Sequence, residues 1–236
     1  MKIIDFHSHM LPGVDDGSPD AETSVRMLRA AREQGVDVQI LTPHFYRWRE
    51  DIDAFLRRRE ASRQRLEDSL PDGLPRILIG SETAFYAGMS REELEPLCVE
   101  GTRALLLEMP FDSWPNSVVD ELATLSLDRG YDVVLAHIER FLQYHGNREQ
   151  LARLAELPIH RQVNAEIFLR FTTRGMALRL VRDGTATLLG SDAHNMTTRR
   201  PDLAGARAVI GKRLGPDALQ GLDETANTLL REAIEE

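Results

Sequence analysis

Cysteine is almost absent from this sequence, and long apolar runs are missing. The single cysteine, Cys98, excludes an internal disulfide and a thiolate zinc site, so we expect a buried, unreactive thiol. No apolar run approaches the ~20 residues that span a bilayer. The first residues also lack the basic and apolar pattern of a signal peptide. These absences predict a cytoplasmic protein without membrane insertion.

The chain also has fewer basic than acidic residues. The chain carries 29 basic and 38 acidic residues, for a net charge of −9, which argues against binding to nucleic acid or to an anionic membrane. Its 236 residues, 42% hydrophobic and 28% charged, fit a globular protein of a size that α/β barrels reach as one unit. Since no linker or change of composition interrupts the sequence, we predict one domain over residues 1–236.

Short apolar runs alternate with helical patterns along the chain. We predict seven strands, at residues 2–6, 36–41, 76–80, 104–107, 133–136, 161–165 and 186–190. Each is followed by a helix or a helical loop. Repeated units of this kind predict an α/β fold whose parallel sheet is buried on both faces.

Side chains that bind metals stand at the ends of six predicted strands. They are His7, His9, His44, Glu82, Glu108, His137, Asp192 and His194. His7 and His9 are two residues apart, so they project from the same face of an extended chain. One such residue alone is more often a loop or capping residue. Because the carboxyl ends of barrel strands meet at one rim, where active sites are built, the whole set predicts a metal site.

The type and number of these side chains limit which metal ions can bind and which reactions the site can catalyse. Imidazole and carboxylate ligands suit zinc, manganese or iron. About nine donors exceed what one ion can use, so two or three ions are expected. Paired ions about 3.5–4 Å apart hold phosphoryl oxygens and lower the pKa of water. Hydrolysis of a phosphate ester is therefore the predicted reaction, with metal-dependent amide hydrolysis or deamination as the alternative.

Several segments together carry a family resemblance that spans the chain. They are Asp5-Phe6-His7-Ser8-His9, Asp15-Asp16-Gly17, Thr42-Pro43-His44, Leu107-Glu108-Met109-Pro110, Ala136-His137-Ile138-Glu139-Arg140, Gln162-Val163-Asn164 and Ser191-Asp192-Ala193-His194. In this order they resemble the PHP (polymerase and histidinol phosphatase) superfamily, and within it the capsule-type bacterial protein tyrosine phosphatases that use manganese. The resemblance implies a distorted seven-stranded TIM-like (β/α)7 barrel of the PHP type.

The resemblance also implies three groups of metal ligands. The first is His7, His9, Glu82 and Asp192; the second is Glu82, Glu108 and His137; the third is Asp16, His44 and His194. Glu108 and Asp16 stand where relatives of the histidinol phosphatase type tend to have histidine, which favours the tyrosine phosphatase branch. Asp15 remains an alternative to Asp16. Asp5 is expected to orient a histidine rather than bind an ion.

The implied mechanism is attack of a metal-bridging hydroxide on phosphorus. Two or three Mn²⁺ ions are expected, with Fe, Zn, Co or Mg as substitutes. Arg140 and Arg199 are expected to grip the phosphate, although Arg200 could replace Arg199. His137 and Asp192 are expected to be essential for turnover.

The implied substrate is a phosphotyrosine protein, specifically a bacterial polysaccharide tyrosine kinase that regulates exopolysaccharide or capsule synthesis. Arg47 and Trp48 lie in a loop after His44 that could form a wall for the tyrosyl ring or merely cover the barrel. Two alternatives remain open. One is a small-molecule phosphatase acting on histidinol phosphate or a nucleotide-type ester, and the other is a degenerate, non-catalytic metal-binding module.

Overall fold

Parallel strands and surrounding helices make up the structure, a computed structural model that describes residues 1–235. The strands in this part of the chain are β1 (Ile4–Asp5), β2 (Val38–Leu41), β3 (His44–Phe45), β4 (Arg76–Ile79), β5 (Glu82–Ala84), β6 (Ala104–Glu108), β7 (Asp132–Leu135), β8 (His160–Asn164) and β9 (Leu188–Gly190). The α-helices are α1 (Ala21–Glu33), α2 (Ile52–Glu67), α3 (Asn116–Ala123), α4 (Asn147–Leu154), α5 (Glu166–Leu169), α6 (Phe171–Arg182), α7 (Leu203–Leu214), α8 (Pro216–Leu229) and α9 (Arg231–Glu235).

The strands form two parallel sheets. One has the order β1-β2-β4, and the other has the order β3-β5-β6-β7-β8-β9. The outer strands β1 and β9 approach each other, where Phe6 N donates to Leu189 O at 3.4 Å and Asp192 N donates to His7 O at 2.8 Å. The sheet therefore curls, and the carboxyl ends of its strands come together on one side.

The predicted parallel α/β fold is confirmed, but the predicted number of strands differs from the number in the structure. Residues 1–235 contain nine strand segments rather than seven, because two predicted strands continue after a short break. Pro43 separates β2 from β3, and Gly80-Ser81 separates β4 from β5. Proline has no N–H to donate to a neighbouring strand, which accounts for the first break. The continuations β3 and β5 carry His44 and Glu82.

Both faces of the strands are buried. Alternate side chains point to opposite faces, so Leu106 and Val134 belong to an inner apolar cluster, while Leu105 and Val133 belong to an outer one. Leu230, just after α8, also packs in the inner cluster. This two-sided burial is typical of parallel sheets and leaves the strand ends to present polar residues.

The helix boundaries follow local signals closely. Asp20 accepts a hydrogen bond from Thr23 N at 2.7 Å and so caps the start of α1. Between β5 and β6 the chain forms two 3₁₀ turns, Met89–Arg91 and Glu95–Leu97, the second of which contains Pro96. Within residues 1–235, no helix combines the length and apolar character that a membrane crossing requires. Cys98 is free and buried, as predicted.

Candidate metal centre

The carboxylate of Glu82 lies at the centre of the converging strand ends. Four imidazoles from three other strand ends surround it. The distances from Glu82 are 3.3 Å to His7 Nε2, 3.2 Å to His9 Nε2, 2.9 Å to His44 Nδ1 and 2.7 Å to His137 Nε2. His44 faces Oε2 and His137 faces Oε1, so Glu82 links two halves of the cluster. A carboxylate in this position can bridge two cations.

Asp192 approaches the same histidine pair from the last strand. Its Oδ1 lies 3.6 Å from His7 Nε2 and 3.4 Å from His9 Nε2, and these two imidazole nitrogens are 3.1 Å apart. All three side chains are buried. The structure therefore brings together the four side chains expected for the first ion.

Two arginines converge on the other oxygen of Asp192. Arg140 Nη2 donates to Oδ2 at 2.5 Å, and Arg199 Nη2 donates to the same atom at 2.7 Å. Both guanidinium groups are about a third exposed, so they can also reach a ligand from solvent. Arg200 instead pairs with Asp202 at 3.4 Å. Of the two alternatives, Arg199 is the arginine placed beside the ligands.

Asp16, rather than Asp15, faces the remaining imidazoles. Asp16 Oδ1 lies 3.5 Å from His44 Nε2 and 3.6 Å from His194 Nε2. Asp15 is turned inward, where its Oδ2 is 2.7 Å from His9 Nδ1 and accepts from His44 N at 3.0 Å. Asp15 therefore orients histidines. The turn requires Gly17, because a Cβ there would lie 2.1 Å from the His9 carbonyl oxygen.

Glu108 completes the opposite side of the cluster. Its Oε1 lies 3.5 Å from His137 Nε2, and it belongs with His44 and Glu82 to a group of donor atoms within 4.8 Å of one another. Two further groups meet the same limit: His9, Asp16, His44 and His194, and His7, His9 and Glu82. The structure thus gathers all nine predicted ligands at one rim.

Backbone strain coincides with this rim. In the described part of the chain, only two non-glycine residues have positive φ, His137 at 32° and Asp192 at 53°. This conformation is uncommon for residues with a Cβ and concentrates at functional sites. Both residues are among the predicted ligands, each placed just after the end of its strand.

Ionised carboxylates and one neutral imidazole suit a cation, whereas the carboxylates around His9 and His137 outweigh burial and raise the pKa of those two imidazoles, so a cation would displace their protons. Although burial opposes ionisation, the neighbouring imidazoles hold the pKa of Glu82 and of Asp192 well below the usual range. Burial, together with the charge of His9, lowers the pKa of His194 to about 3, which keeps that imidazole neutral. Glu82 Oε2 and His194 Nε2 are buried and lack a hydrogen-bond partner among residues 1–235. A bound cation would satisfy these atoms, so the residues fit a metal centre.

The side chains of Gln162, Asn164 and Asp5 form hydrogen bonds with the proposed ligands or with the backbone beside them. Gln162 Oε1 accepts from His137 N at 2.8 Å and lies 3.2 Å from His7 Nδ1. Gln162 Nε2 donates to Asn164 at 2.9 Å, and Asn164 donates to Asp192 at 2.8 Å. Sequence reasoning predicted no role for Gln162 and Asn164, although their spacing of two residues on β8 was a signal that they share a face. Asp5 supports the other edge, where it accepts from Ser191 N at 2.7 Å.

Aromatic side chains flank the cluster on two sides. Tyr46 stacks on His44, with ring centroids 5.2 Å apart, and Phe111 lies parallel to His137 at 6.3 Å. Of the two residues predicted to bind substrate, Trp48 is exposed and packs on Tyr46 at 4.9 Å, whereas Arg47 pairs with Glu92 at 3.3 Å. Tyr46 is therefore the ring of this loop that reaches the ligands, which sequence reasoning did not single out.

Comparison with known proteins agrees with this geometry. The profile of a family described as capsular polysaccharide synthesis, CpsB/CapC, matches residues 3–231. The tyrosine-protein phosphatase YwqE of Bacillus subtilis is 32% identical over 238 residues, covering 97% of this chain and 92% of the relative. The chain belongs to the CpsB/CapC family. The family resemblance found in the sequence is thereby confirmed.

Solved structures place this CpsB/CapC chain among related folds. A structure described as that of YwqE from Bacillus subtilis and CpsB from Streptococcus pneumoniae, unique metal-dependent tyrosine phosphatases, matches with a TM-score of 0.84 and 30% identity over 98% of this chain and 95% of that one. A histidinol phosphate phosphatase from Lactococcus lactis matches with a TM-score of 0.51 and 15% identity over 89% of this chain and 93% of that one. The second likeness concerns the fold alone.

Proposed function

We propose that this protein is a metal-dependent protein tyrosine phosphatase. The observation that carries the proposal is the convergence of Arg140 and Arg199 on Asp192, at the edge of a buried cluster of imidazoles and carboxylates. Such a site offers both cation ligands and two forked donors for phosphate oxygens. Membership in the CpsB/CapC family and similarity to the phosphatase YwqE support the assignment to phosphotyrosine.

We assign the metal ligands to three groups, with manganese as the proposed ion. His7, His9, Glu82 and Asp192 would hold the first ion, Glu82, Glu108 and His137 the second, and Asp16, His44 and His194 the third. Ions bound there would supply an activated water near neutral pH and neutralise charge on the phosphoryl oxygens. We also propose that the two sheets form one distorted seven-stranded barrel of the PHP type, in which β2–β3 and β4–β5 are broken strands.

The residues of the chain orient the ester for hydrolysis. The Nη2 donors of Arg140 and Arg199 would turn from Asp192 to two phosphate oxygens, where they stabilise charge as it develops in the transition state. The supporting amide of Asn164 keeps one hydrogen bond on Asp192 when the arginines leave it. The leaving phenoxide of tyrosine has a pKa of about 10 in solution, so its departure requires no strong acid.

The substrate would be a phosphorylated bacterial polysaccharide tyrosine kinase. The support is the description of the family as one of capsular polysaccharide synthesis. A phosphorylated kinase of this class, incubated with the manganese-loaded protein, should lose its phosphotyrosine signal. Persistence of that signal, together with turnover of small phosphotyrosine peptides, would contradict the choice of partner alone.

The decisive experiment compares two esters and two metal states. With Mn²⁺, a phosphotyrosine peptide should be hydrolysed and histidinol phosphate should not. Exhaustive chelation would remove the ions, and the substitution His137→Ala would remove one proposed ligand of the second ion, so either should abolish the activity. Turnover that persists after complete metal removal would contradict the metal-dependent mechanism. Exclusive hydrolysis of histidinol phosphate would instead support a small-molecule phosphatase.

A further inference from the structure

A cavity of about 360 Å³ opens beside the metal centre. Asp16 and His44 of the proposed ligand set line one side of it, and Tyr46 and Arg49 line another. Its remaining lining residues are Val14, Asp15, Glu50 and Arg58. The cavity therefore borders two of the proposed ligands, and a residue that flanks a bound phosphotyrosine could enter it.

Most charges of this cavity are already compensated. Arg58 pairs with Glu50, and Asp15 is 2.7 Å from His9 Nδ1. Asp16 lies beside two imidazoles and would be neutralised by a bound cation. One charge remains, because no carboxylate in residues 1–235 lies within 4.0 Å of the guanidinium of Arg49. The loaded cavity would therefore attract an anion.

The guanidinium of Arg49 is held in place although it is exposed. It lies 4.4 Å from the centroid of the Tyr46 ring, a cation–π contact, and Tyr46 in turn stacks on His44. Stacking of this kind orients an arginine without consuming its outward hydrogen-bond donors. The Tyr46 ring thus lies between Arg49 and the imidazole of the proposed ligand His44. From this position Arg49 can contact a substrate residue next to the phosphotyrosine.

We propose that Arg49 makes this cavity a subsite for an acidic residue that flanks the phosphotyrosine of the substrate. The inference rests on the proposed phosphatase function and specifies its substrate class. Arg47, two residues earlier, is a weaker candidate because Glu92 already pairs with it. The test therefore concerns Arg49, with Arg57 on α2 as the matched control, since Arg57 is exposed and forms no ion pair in the described part of the chain.

The experiment uses the full chain loaded with manganese and two phosphotyrosine peptides, one flanked by aspartates and one by asparagines. The ratio of their kcat/KM values measures the preference. Because an exposed ion pair is worth up to about 1 kcal/mol, the wild-type ratio should be about threefold to fivefold. Arg49→Gln should bring the ratio close to one, whereas Arg57→Gln should leave it unchanged. Higher ionic strength should reduce the preference in the wild type.

Each other outcome overturns a defined part of the argument. A preference that persists in Arg49→Gln, or a wild type that hydrolyses both peptides equally, overturns the subsite and leaves the phosphatase function intact. A wild type that hydrolyses neither peptide overturns the proposed function, and the subsite with it. Thermal melts of both variants identify any loss of folding, which we do not expect for these exposed side chains.

Discussion

Asp5 is the acid buried most deeply behind the ligands. Its Oδ1 accepts from Ser191 N at 2.7 Å, while Oδ2 has no hydrogen-bond donor among the described residues. Burial raises the pKa of this carboxyl group, although the hydrogen bonds that Ser191 and the His7 N–H donate to it partly offset the effect. Gln39 Oε1 also lacks a donor, and Gln39 Nε2 is committed to Ser8. A proton on Asp5 Oδ2 would satisfy both orphan oxygens.

The substitution Asp5→Asn therefore should be mild. Its amide can still accept from Ser191 N and can donate to Gln39, so we expect the free energy of unfolding to fall by less than about 1 kcal/mol. Asp5→Leu leaves the Ser191 N–H and the Gln39 oxygen unpaired and should cost about 2–3 kcal/mol. Urea denaturation of both variants measures the difference. Equal, large losses would indicate that Asp5 is ionised in the folded protein.

Individual residues also reveal how far the sequence predicted the centre. His7 and His9 follow from a local rule, the two-residue period of an extended chain. The choice between Asp15 and Asp16 does not, because it depends on a turn that contacts His9 and on a helix distant in sequence. The support of His137 by Gln162 likewise depends on the pairing of β7 with β8. Local patterns fix residue types, whereas orientation arises only from tertiary contacts.

Helix α2 provides such a contact for the loop that carries Asp16. Ser62 Oγ donates to Pro12 O at 2.6 Å, Arg65 Nη2 donates to the same oxygen at 3.0 Å, and Arg58 donates to Val14 O. Ser62 is fully buried. In the structure, the helix anchors the loop that presents Asp16.

We expect Ser62→Ala to weaken metal binding while the helix remains intact. Alanine favours helix, but it removes one of the anchors of the loop; contacts made directly to a metal ligand are worth about tenfold or more in affinity, so this more remote contact should be worth up to about tenfold. Equilibrium dialysis with Mn²⁺, followed by metal analysis, should reveal weaker binding of one ion per chain. The control is Ser69→Ala, just after the same helix, whose exposed hydroxyl donates to Arg65 O and to no other group among residues 1–235. Equal manganese binding by both variants would refute this role of α2.

On the scale of the whole molecule, the proposed metal ligands come from strands that few backbone hydrogen bonds connect. Strands β1 and β9 share only a few backbone hydrogen bonds, yet His7 follows the first and Asp192 follows the second. Glu82 on β5 connects these to His44 on β3 and His137 after β7. Ions held by this set would therefore close the curled sheet as well as supply the chemistry.

Metal removal should accordingly lower the thermal stability of the entire protein. Ligands that bind only the folded state stabilise it by RT ln(1 + [L]/Kd), about 2.7 kcal/mol at one hundred times Kd. For a domain of this size, that free energy corresponds to a Tm higher by roughly 5–10 °C. Calorimetry with and without chelator measures the shift. Because Glu82 contacts four of the imidazoles, Glu82→Gln should abolish most of the manganese response, whereas Glu22→Gln on the exposed start of α1 should retain it. An unchanged wild-type Tm at saturating Mn²⁺ would mean that no ion closes the sheet.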